Sequence, residues 1–445
     1  MRKFIPGLRR ATPFQIITFS FLFVILLGGV LLSLPISRTG AAPGSFLDAL
    51  FTSGSAVCVT GLAVQNTGTY WTTFGKTVIL ILIQIGGLGV ITVVITASLF
   101  SGKRIGLRQR DLMQNAINAP RLGGIIRFTR FLLIFTLLVE FAGALLLAPV
   151  FIPKYGLAEG MAKSLFHSIS AFCNAGFDTL DNQGTFASLT LYKTSIPINA
   201  VIMLLIIIGG LGFFTWEDLL KNHFRWKKLQ MQTKLIITVS ALLIFVPAIL
   251  FFFFEFTQGG LKERILLSLF QSVTTRTAGF NTASIGNLHE GSRLIMILLM
   301  LVGGSPGSTA GGIKTTTGAV LLFALIRNIK GNKSIRIFGR AVSDGIVSEA
   351  FTIFFLYLFL FLSGSLMIST LEGFPIIDCM FECASALGTV GLTTGITPSL
   401  GAASRLILIF FMYFGRVGGL TLAYAALQTS KPEPGRLPEA HVMIG

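Results

Sequence analysis

Long apolar runs, each bounded by polar or basic segments, dominate the pattern along the chain. A helix of about 20 apolar residues crosses the hydrocarbon core of a membrane, so each run predicts one membrane-spanning helix. The predicted spans are 14–34, 77–100, 131–150, 196–216, 235–256, 293–326, 350–370 and 405–427. Four shorter apolar segments, too short to span, predict re-entrant helices at 46–58, 164–173, 265–275 and 376–387. The pattern therefore predicts an all-α polytopic membrane protein with eight transmembrane helices and four re-entrant pore loops.

One unit recurs four times: a span, a short apolar segment, a glycine among small residues, and a second span that contains a glycine pair. The glycines after the short segments are Gly61, Gly176, Gly279 and Gly391, which are 115, 103 and 112 residues apart. The predicted repeats are repeat 1 (1–100), repeat 2 (101–217), repeat 3 (218–330) and repeat 4 (331–430), followed by a C-terminal tail (431–445). Non-helical backbone is tolerated at membrane depth only inside protein or around a water-filled cavity. The four loops are therefore expected to meet around one pseudo-fourfold pore.

Composition and charge agree with this class. The chain is 53% hydrophobic and only 12% charged, against about 25% charged residues in soluble domains. Placing both termini in the cytoplasm puts 23 of the 35 Lys and Arg residues on that side, as the positive-inside rule expects. The net charge of +17 therefore reflects topology, and no basic patch interleaved with aromatic residues indicates nucleic-acid binding.

Enzyme chemistry has little support in the sequence. Four histidines and scattered carboxylates form no cluster of acid, base, nucleophile or metal ligands. The four cysteines lack the spacing of a zinc site or a disulfide framework and are interpreted as small apolar residues. We therefore expect neither an enzyme nor a cofactor bound by this chain.

Backbone chemistry explains why a glycine stands in each loop. Carbonyl oxygens arranged in a ring can replace the water shell of a monovalent cation, and turning them inward needs conformations that glycine adopts without steric cost. A short helix ahead of each loop also aims its partly negative C-terminal end at the site. A packing glycine between helices is the alternative for each position taken singly. The fourfold recurrence favours a selectivity filter.

The Thr-Val-Gly of residues 389–391 resembles a potassium-channel filter, and nearly the whole chain resembles the Trk/Ktr/HKT superfamily of potassium transporters, most of all its KtrB-type membrane subunits. The resemblance implies potassium uptake across the plasma membrane, with K⁺ as the transported ion and Na⁺ as a regulator. Glycine rather than serine at Gly61 favours potassium within this superfamily. The implied filter residues are Val59, Thr60, Gly61, Asn174, Ala175, Gly176, Thr277, Ala278, Gly279, Thr389, Val390 and Gly391.

The second half of repeat 3 departs from the other repeats. The run 293–326 covers 34 residues, about 51 Å as a helix, and the glycines and proline at its centre should interrupt it. The interruption resembles the family's intramembrane gating loop, assigned here to 303–314. The predicted gate residues are Gly303, Gly304, Ser305, Pro306, Gly307, Ser308, Thr309, Ala310, Gly311, Gly312, Lys314 and Arg416.

Arg416 stands two positions before Gly418, at the place that Gln84 holds in repeat 1. A fixed positive charge under the filter would slow the passage of cations. Three other polar residues in or near the spans are interpreted structurally: Glu140 as a helix–helix contact rather than a cation partner, Arg276 as a brace of its loop or a residue of the outer mouth, and His167 as a packed side chain.

Two further expectations concern coupling and partners. A sodium-coupled potassium symporter is the alternative function, although its signature would be inverted repeats and these units all run in one direction. No soluble regulatory domain is recognised in the chain, so the resemblance implies a cytosolic nucleotide-binding ring of the KtrA type on the basic segments 101–130, 217–234 and 327–345. It also implies a homodimer with the C-terminal tail near the subunit interface.

Overall fold

The computed structural model describes residues 12–40, 44–100, 106–117, 124–180 and 187–427. The helices of the first quarter are α1 (Pro13–Ser33), α2 (Phe46–Val57), α3 (Thr67–Tyr70), α4 (Thr73–Leu88) and α5 (Val90–Phe100). Those of the second are α6 (Leu107–Ile117), α7 (Ile125–Tyr155), α8 (Leu157–Phe172), α9 (Ile196–Gly210) and α10 (Phe213–Lys221). The third has α11 (Met231–Phe254), α12 (Leu261–Thr274), α13 (Glu290–Leu301) and α14 (Thr315–Ile329), and the fourth has α15 (Asp344–Glu372), α16 (Ile376–Gly388), α17 (Ala402–Val417) and α18 (Gly419–Leu427). A short antiparallel hairpin, β1 (Ile335–Ile337) with β2 (Arg340–Val342), joins α14 to α15 and pairs Arg336 with Ala341.

Four helices are long and apolar enough to cross a membrane alone, namely α1, α7, α11 and α15. They contain 21 to 31 residues with mean hydropathies of 2.2 to 2.8, and large apolar side chains stay exposed along their outer faces. Exposed apolar area on this scale is typical of helices that face lipid. Helix α7 exceeds the predicted 131–150 at both ends: it begins at Ile125 and continues to Tyr155, where the cap residue Gly156, with a φ of +80°, ends it.

A short helix with a buried C-terminal half follows each long helix: α2, α8, α12 and α16. These are the four predicted re-entrant segments. Helices α8 and α12 begin earlier than predicted, at Leu157 and Leu261, because their first turns include the carboxylates of Glu159 and Glu263. A negative charge is favourable at a helix N-terminus, whereas the apolar pattern used to define the segments omitted these polar turns.

Three predicted spans are wrong as single helices. The runs 196–216 and 405–427 are bent pairs whose helices meet at 92° and 95°, and α4 ends before α5 begins. The breaks lie at Gly89, Gly212 and Gly418, which have φ of +85°, +91° and +93°. A positive φ ends a helix and is readily adopted only by glycine. The described residues therefore contain four candidate spans, or six if each bent pair is counted once, rather than eight continuous ones.

The run 293–326 is interrupted as predicted. Helix α13 ends at Leu301 and α14 starts at Thr315, and the chain between them is not helical. Val302 and Ile313 form an isolated parallel bridge that brings the two ends of this segment together.

The packing order of the helices closes on itself. Within each quarter the long helix packs on its own short helix, as α1 does on α2 and α15 on α16. Each short helix also receives a helix from the preceding quarter, in the pairs α4 on α8, α9 on α12, α13 on α16 and α17 on α2. Because the last pair joins the fourth quarter to the first, the short helices are enclosed on all sides and their loops converge at the centre.

Candidate functional site

The segments that follow the four short helices share an unusual backbone. In each, the first residue and the glycine have positive φ, whereas the residue between them does not. The first residues are Val59 (57°), Asn174 (58°), Thr277 (65°) and Thr389 (50°), and the glycines are Gly61 (93°), Gly176 (68°), Gly279 (81°) and Gly391 (93°). Positive φ in a β-branched residue is a strained conformation that its surroundings must hold. The alternation lets successive carbonyl oxygens turn toward the same side, as in a ring of ligands.

The four glycines lie against one another in a closed order. A Cβ added to any of them would lie 2.7 Å or less from the carbonyl oxygen that precedes the glycine of the next quarter. The pairs are Gly61 with Ala175, Gly176 with Ala278, Gly279 with Val390 and Gly391 with Thr60. Any side chain would collide with backbone there, so the ring requires glycine for space as well as for φ.

Cavities lie on both sides of this ring. All four glycines line one pocket of 60 Å³, together with Asn66, Asp178, Asn281 and Thr393. A larger space of 760 Å³, the outer cavity, is bounded by residues 281–286 and 391–395. On the opposite side an inner cavity of 410 Å³ is lined by Gly89, Lys314 and Arg416, among other residues.

Hydroxyl groups on the short helices hold these segments in place. Ser55 and Ser385 accept hydrogen bonds from the backbone N–H of Gly61 and Gly391, each at 3.0 Å. Ser170 Oγ instead donates to the carbonyl of Phe177 at 2.8 Å. Thr274 does the same to the carbonyl of Phe280. The sequence interpretation missed all four side chains, although three of them are serines placed six residues before the glycine, a spacing that could have identified them.

Ion pairs connect neighbouring quarters near the start of the short helices. Three carboxylates, each the third residue of a short helix, pair at 2.7 Å with a basic residue of the preceding quarter. The pairs are Glu263 with Lys193, Asp378 with Arg293, and Asp48 with Arg405. The last one joins α2 to α17, so these ion pairs follow the order of the glycines at three of the four junctions between quarters.

Removal of the Arg405 side chain is expected to destabilise the fold. Arg405 and Asp48 are only 18% and 11% exposed, so Arg405→Ala leaves a poorly solvated carboxylate and should cost about 2 kcal/mol, somewhat below the roughly 3–5 kcal/mol for breaking a fully buried pair. Thermal denaturation of the purified protein in one detergent measures this cost. Arg327→Ala is the matched control, because its partner Asp344 is 86% exposed and exposed pairs contribute little. Equal losses in the two variants would contradict the expectation.

The segment 302–314 crosses beneath the ring. Its tip docks on the break between α9 and α10, where the backbone N–H of Ser305 donates to Gly210 O at 3.0 Å and Phe213 N–H donates to Gly307 O at 2.8 Å. Its second arm reaches the end of α17, where the N–H of Gly312 donates to Gly415 O at 3.3 Å. The segment therefore bridges α9 of the second quarter and α17 of the fourth. It also lies close to the ring, because a Cβ on its Gly311 would collide with Thr389.

Arg416 fastens this segment. Its guanidinium donates to the carbonyls of Thr309 and Gly86, and to that of Gly87 at 3.1 Å. The contact joins the segment to α4 of the first quarter. Lys314 stabilises the conformation of the segment from within, because its Nζ donates to the carbonyl of Ala310 at 2.7 Å.

The predicted equivalence of Arg416 and Gln84 is wrong. A Cβ on Gly86 would collide with the carbonyl of Val57, at the end of α2, and a Cβ on Gly415 would collide with that of Leu387, at the end of α16. Gly415 therefore corresponds to Gly86, and Arg416 corresponds to Gly87 rather than to Gln84. Repeat 4 places a guanidinium where repeat 1 has only a hydrogen atom.

Glu140 and Gln84 meet beside Cys173, the residue that precedes Asn174. Glu140 is buried on α7, where it accepts a hydrogen bond from Gln84 Nε2 at 3.2 Å and lies 3.7 Å from Cys173 Sγ. This arrangement agrees with the interpretation of Glu140 as a helix–helix contact. It also gives Cys173 a polar role that the reading as a small apolar residue did not include.

His167 and Arg276 have structural contacts. His167 is fully buried against Phe151 and Phe280. Arg276 donates from Nη2 to Ser240 Oγ at 3.0 Å, which ties the end of α12 to α11, so it braces the loop and does not reach the outer mouth. Among the residues that the structure describes, no group of three or more His, Cys, Asp or Glu side chains is placed to hold a metal ion.

Comparisons with known proteins agree on one family. The model of the TrkH family, described as a cation transport protein, matches residues 7–432. The chain is 40% identical over 442 residues to the Ktr system potassium uptake protein B of Bacillus subtilis, with 98% of this chain and 97% of that protein covered. It is 38% identical over 448 residues to the potassium/sodium uptake protein NtpJ of Enterococcus hirae, with 98% of each covered. The crystal structure of the potassium transporter TrkH from Vibrio parahaemolyticus has the same fold, with a TM-score of 0.70, 21% identity, and coverage of 92% of this chain and 85% of that one.

Proposed function

Because the chain belongs to the TrkH family of cation transport proteins, a family of membrane transporters and not of enzymes, we propose that it takes up potassium through a pore at the centre of the four glycine segments. The observation that carries this proposal is the closed ring, in which each glycine faces the carbonyl oxygen of the next quarter around one cavity. The three-residue segments that end in Gly61, Gly176, Gly279 and Gly391 form the proposed filter.

Unpaired oxygen atoms at the ring support a cation as its ligand. The hydroxyls of Thr60, Thr277 and Thr389 are buried and have no hydrogen-bond partner within the described part of the chain. Buried polar groups normally have a partner, and hydroxyl and carbonyl oxygens suit a monovalent cation or its water. The four short helices add the negative ends of their dipoles. Potassium is the cargo of this site rather than a resident cofactor.

The architecture that fits this function is four repeats in pseudo-fourfold order, bounded as 1–100, 101–217, 218–330 and 331–430. Both termini would lie in the cytoplasm of a plasma-membrane protein, with the outer cavity outside and the inner cavity inside. The positive-inside distribution of Lys and Arg supports this orientation.

Potassium-limited growth and rubidium uptake in a host that lacks its own uptake systems test the proposal. Expression of the chain should restore growth at low potassium, and rubidium should enter the cells with potassium as a competitor. Absence of rubidium uptake by correctly inserted protein, with or without a cytosolic partner, would overturn the proposal.

We infer that the loop 303–314, within the segment 302–314, gates the pore. It lies directly under the ring, and hydrogen bonds to α9 and α17 hold its two arms. Potassium leaving the filter must pass it to reach the inner cavity. This loop is not helical, and individual hydrogen bonds hold it, among them those from the N–H groups of Ser305 and Thr309 to the end of α9. A rearrangement would break these bonds.

Arg416→Ser is expected to raise rubidium flux without preventing assembly. The change removes a fixed positive charge from the inner cavity and three hydrogen bonds to the carbonyls of Thr309, Gly86 and Gly87. Each hydrogen bond to a charged group contributes about 1.5–3 kcal/mol, so the gating segment should open more often. Rubidium influx into proteoliposomes measures the effect. Arg416→Lys keeps the charge but cannot reach all three carbonyls, and its flux should fall between the other two. A flux that stays at the wild-type level in Arg416→Ser would argue against the gating role.

Sodium is a second ion to consider, because the Enterococcus hirae relative is a potassium/sodium uptake protein. A sodium-coupled symporter is therefore the alternative function. Sodium could instead activate potassium uptake without being transported. Measuring rubidium and ²²Na⁺ uptake together separates them. Symport requires a fixed ratio of the two fluxes, whereas activation raises rubidium uptake without sodium entry.

We propose that a cytosolic partner binds the surface formed by the basic segments between the spans. The Bacillus subtilis relative is named as part of a Ktr system, which supports a nucleotide-binding ring of the KtrA type. Trp226 packs edge-on against Phe338 with ring centroids 6.3 Å apart, so the basic segments 217–234 and 327–345 form one surface. Residues 101–105 and 118–123 of the third segment, and the tail proposed for the homodimer interface, lie outside the described residues. Nucleotide-dependent flux in the presence of the ring, and nucleotide-independent flux in its absence, tests this partner.

A further inference from the structure

Glu382 is a buried carboxylate that the filter assignment does not use. It lies in the middle of α16, nine residues before Gly391, and none of its surface is exposed. A charged side chain at membrane depth normally has a functional reason or a strong set of partners. The residues at the same spacing in the other three segments are Thr52, His167 and Phe270, so only repeat 4 places an acid there.

The partners of Glu382 all come from the stretch that follows the fourth glycine. Its Oε1 accepts from Thr393 Oγ1 at 2.6 Å, from Thr394 N–H at 3.0 Å and from Thr394 Oγ1 at 3.4 Å. Its Oε2 accepts from Thr397 Oγ1 at 2.6 Å. Hydrogen bonds to an ionised acceptor are short and about twice as strong as neutral ones. One side chain therefore holds residues 393–397 at both ends.

Residues 393–395 form a wall of the proposed outer entrance. They line the outer cavity beside Gly279 and Gly391, and Thr393 also lines the pocket shared by all four glycines. Thr393 lies only two residues beyond Gly391, so a shift of its backbone moves the carbonyl groups of the ring. The opposite side of Gly391 is already fixed by Ser385, which leaves Glu382 as the restraint on the outer side.

We propose that Glu382 is a positioning residue that fixes the outer end of the fourth filter segment and thereby sets the preference for potassium over sodium. This inference rests on the proposed filter. Carbonyl rings discriminate between ions by the number and spacing of their oxygens. Loss of the carboxylate removes the acceptor of four hydrogen bonds, which come from Thr393 Oγ1, Thr394 N–H, Thr394 Oγ1 and Thr397 Oγ1. The segment is then expected to move toward the cavity to reach water.

Rubidium uptake in proteoliposomes containing the full-length protein, measured with sodium as competitor, tests the proposal. Glu382→Ala should lower the rubidium-to-sodium preference by about tenfold, the loss expected for a strong hydrogen-bonding site. It should also raise the KM for rubidium more than it lowers the maximal rate of rubidium uptake. Glu382→Gln keeps one acceptor oxygen in the same place and should recover most of the preference. Unchanged preference in Glu382→Ala would overturn the proposal.

Glu372→Ala is the matched control. Glu372 also accepts hydrogen bonds from a hydroxyl and a backbone N–H, those of Ser404 at 2.5 Å and Gly401 at 2.8 Å, but it joins α15 to α17 and does not contact residues 393–397. The control is expected to lose thermal stability and keep its ion preference. Loss of preference in this variant to the same extent as in Glu382→Ala would show a general structural effect and overturn the positioning role.

Two donor variants keep the proposal testable if Glu382→Ala does not fold. Thr397→Val and Thr393→Val remove single donors to the carboxylate, and each should shift the ion preference in the same direction by a smaller factor. Wild-type preference in both would overturn the proposal. The filter itself is tested separately, since inactive Gly391→Asp with unaltered Glu382 variants would reject only the positioning role.

Discussion

Gly391→Asp is expected to abolish potassium uptake, or to leave a residual flux without ion preference. Gly391 has a φ of +93°, and a Cβ there would collide with the carbonyl of Thr60 and lie 3.0 Å from the Cα of Gly61. An aspartate therefore has neither the conformation nor the space, and its carboxylate would trap a cation at the centre of the ring. Growth at low potassium and rubidium uptake measure the loss, and Gly61→Asp should behave alike.

Gly291→Asp is the control for this change. Gly291 lies at the start of α13, has no positive φ, and has no atom within 4 Å of its Cβ position. The same charge is thus added in an open place, and uptake should stay near the wild-type level. Wild-type transport by both Gly391→Asp and Gly61→Asp, at normal protein levels, would rule out the filter assignment.

Deletion of residues 305–310 is expected to produce the largest gain of flux. These residues form the tip of the gating segment and supply its bonds to α9 and its contact with Arg416. The flanking glycines, Gly304 and Gly311, can close the shorter connection, because glycine adopts turn conformations freely. Rubidium influx into proteoliposomes without a cytosolic partner measures the effect, which should exceed that of Arg416→Ser.

The matched deletion removes residues 257–259 from the connection between α11 and α12. These residues belong to the same repeat but lie far along the chain from the gating segment and are partly or fully exposed. Flux should change little in this variant. Thermal denaturation checks that the variant lacking 305–310 is folded. Unchanged or lower flux in folded protein would show that the segment is not a barrier.

Recurrence in the sequence was enough to predict the four short helices and the glycine that follows each. These features repeat with similar spacing, so four weak signals support one another. The interruption after Leu301 was predicted differently, from the excessive length of the run 293–326 and the glycines and proline at its centre. The bends at Gly89, Gly212 and Gly418 could not be predicted in the same way. A glycine that packs against a helix and one that adopts positive φ look alike in sequence, and only the neighbouring backbone distinguishes them.

The register of the last repeat shows the same limit. Gly415, Gly418 and Gly419 stand within five residues of one another, and the pair Gly418–Gly419 looked like the pair Gly86–Gly87. The contact that decides the matter is with the carbonyl of Leu387, a residue on another helix. Glu382 was a different kind of omission, because an acid within an apolar segment is visible in the sequence and such residues are functional candidates.

Closure of the helix bundle determines when folding can be completed during synthesis of the protein. Asp48 must wait for Arg405, 357 residues later in the chain, and at ribosomal rates of about 5–20 residues per second this delay is on the order of 20–70 s. Throughout that time α2 lacks its contact with α17, and Asp48 lacks its ion-pair partner. A nascent chain halted before α17 would leave the helix bundle open. We therefore expect cellular quality control to recognise such an incomplete chain.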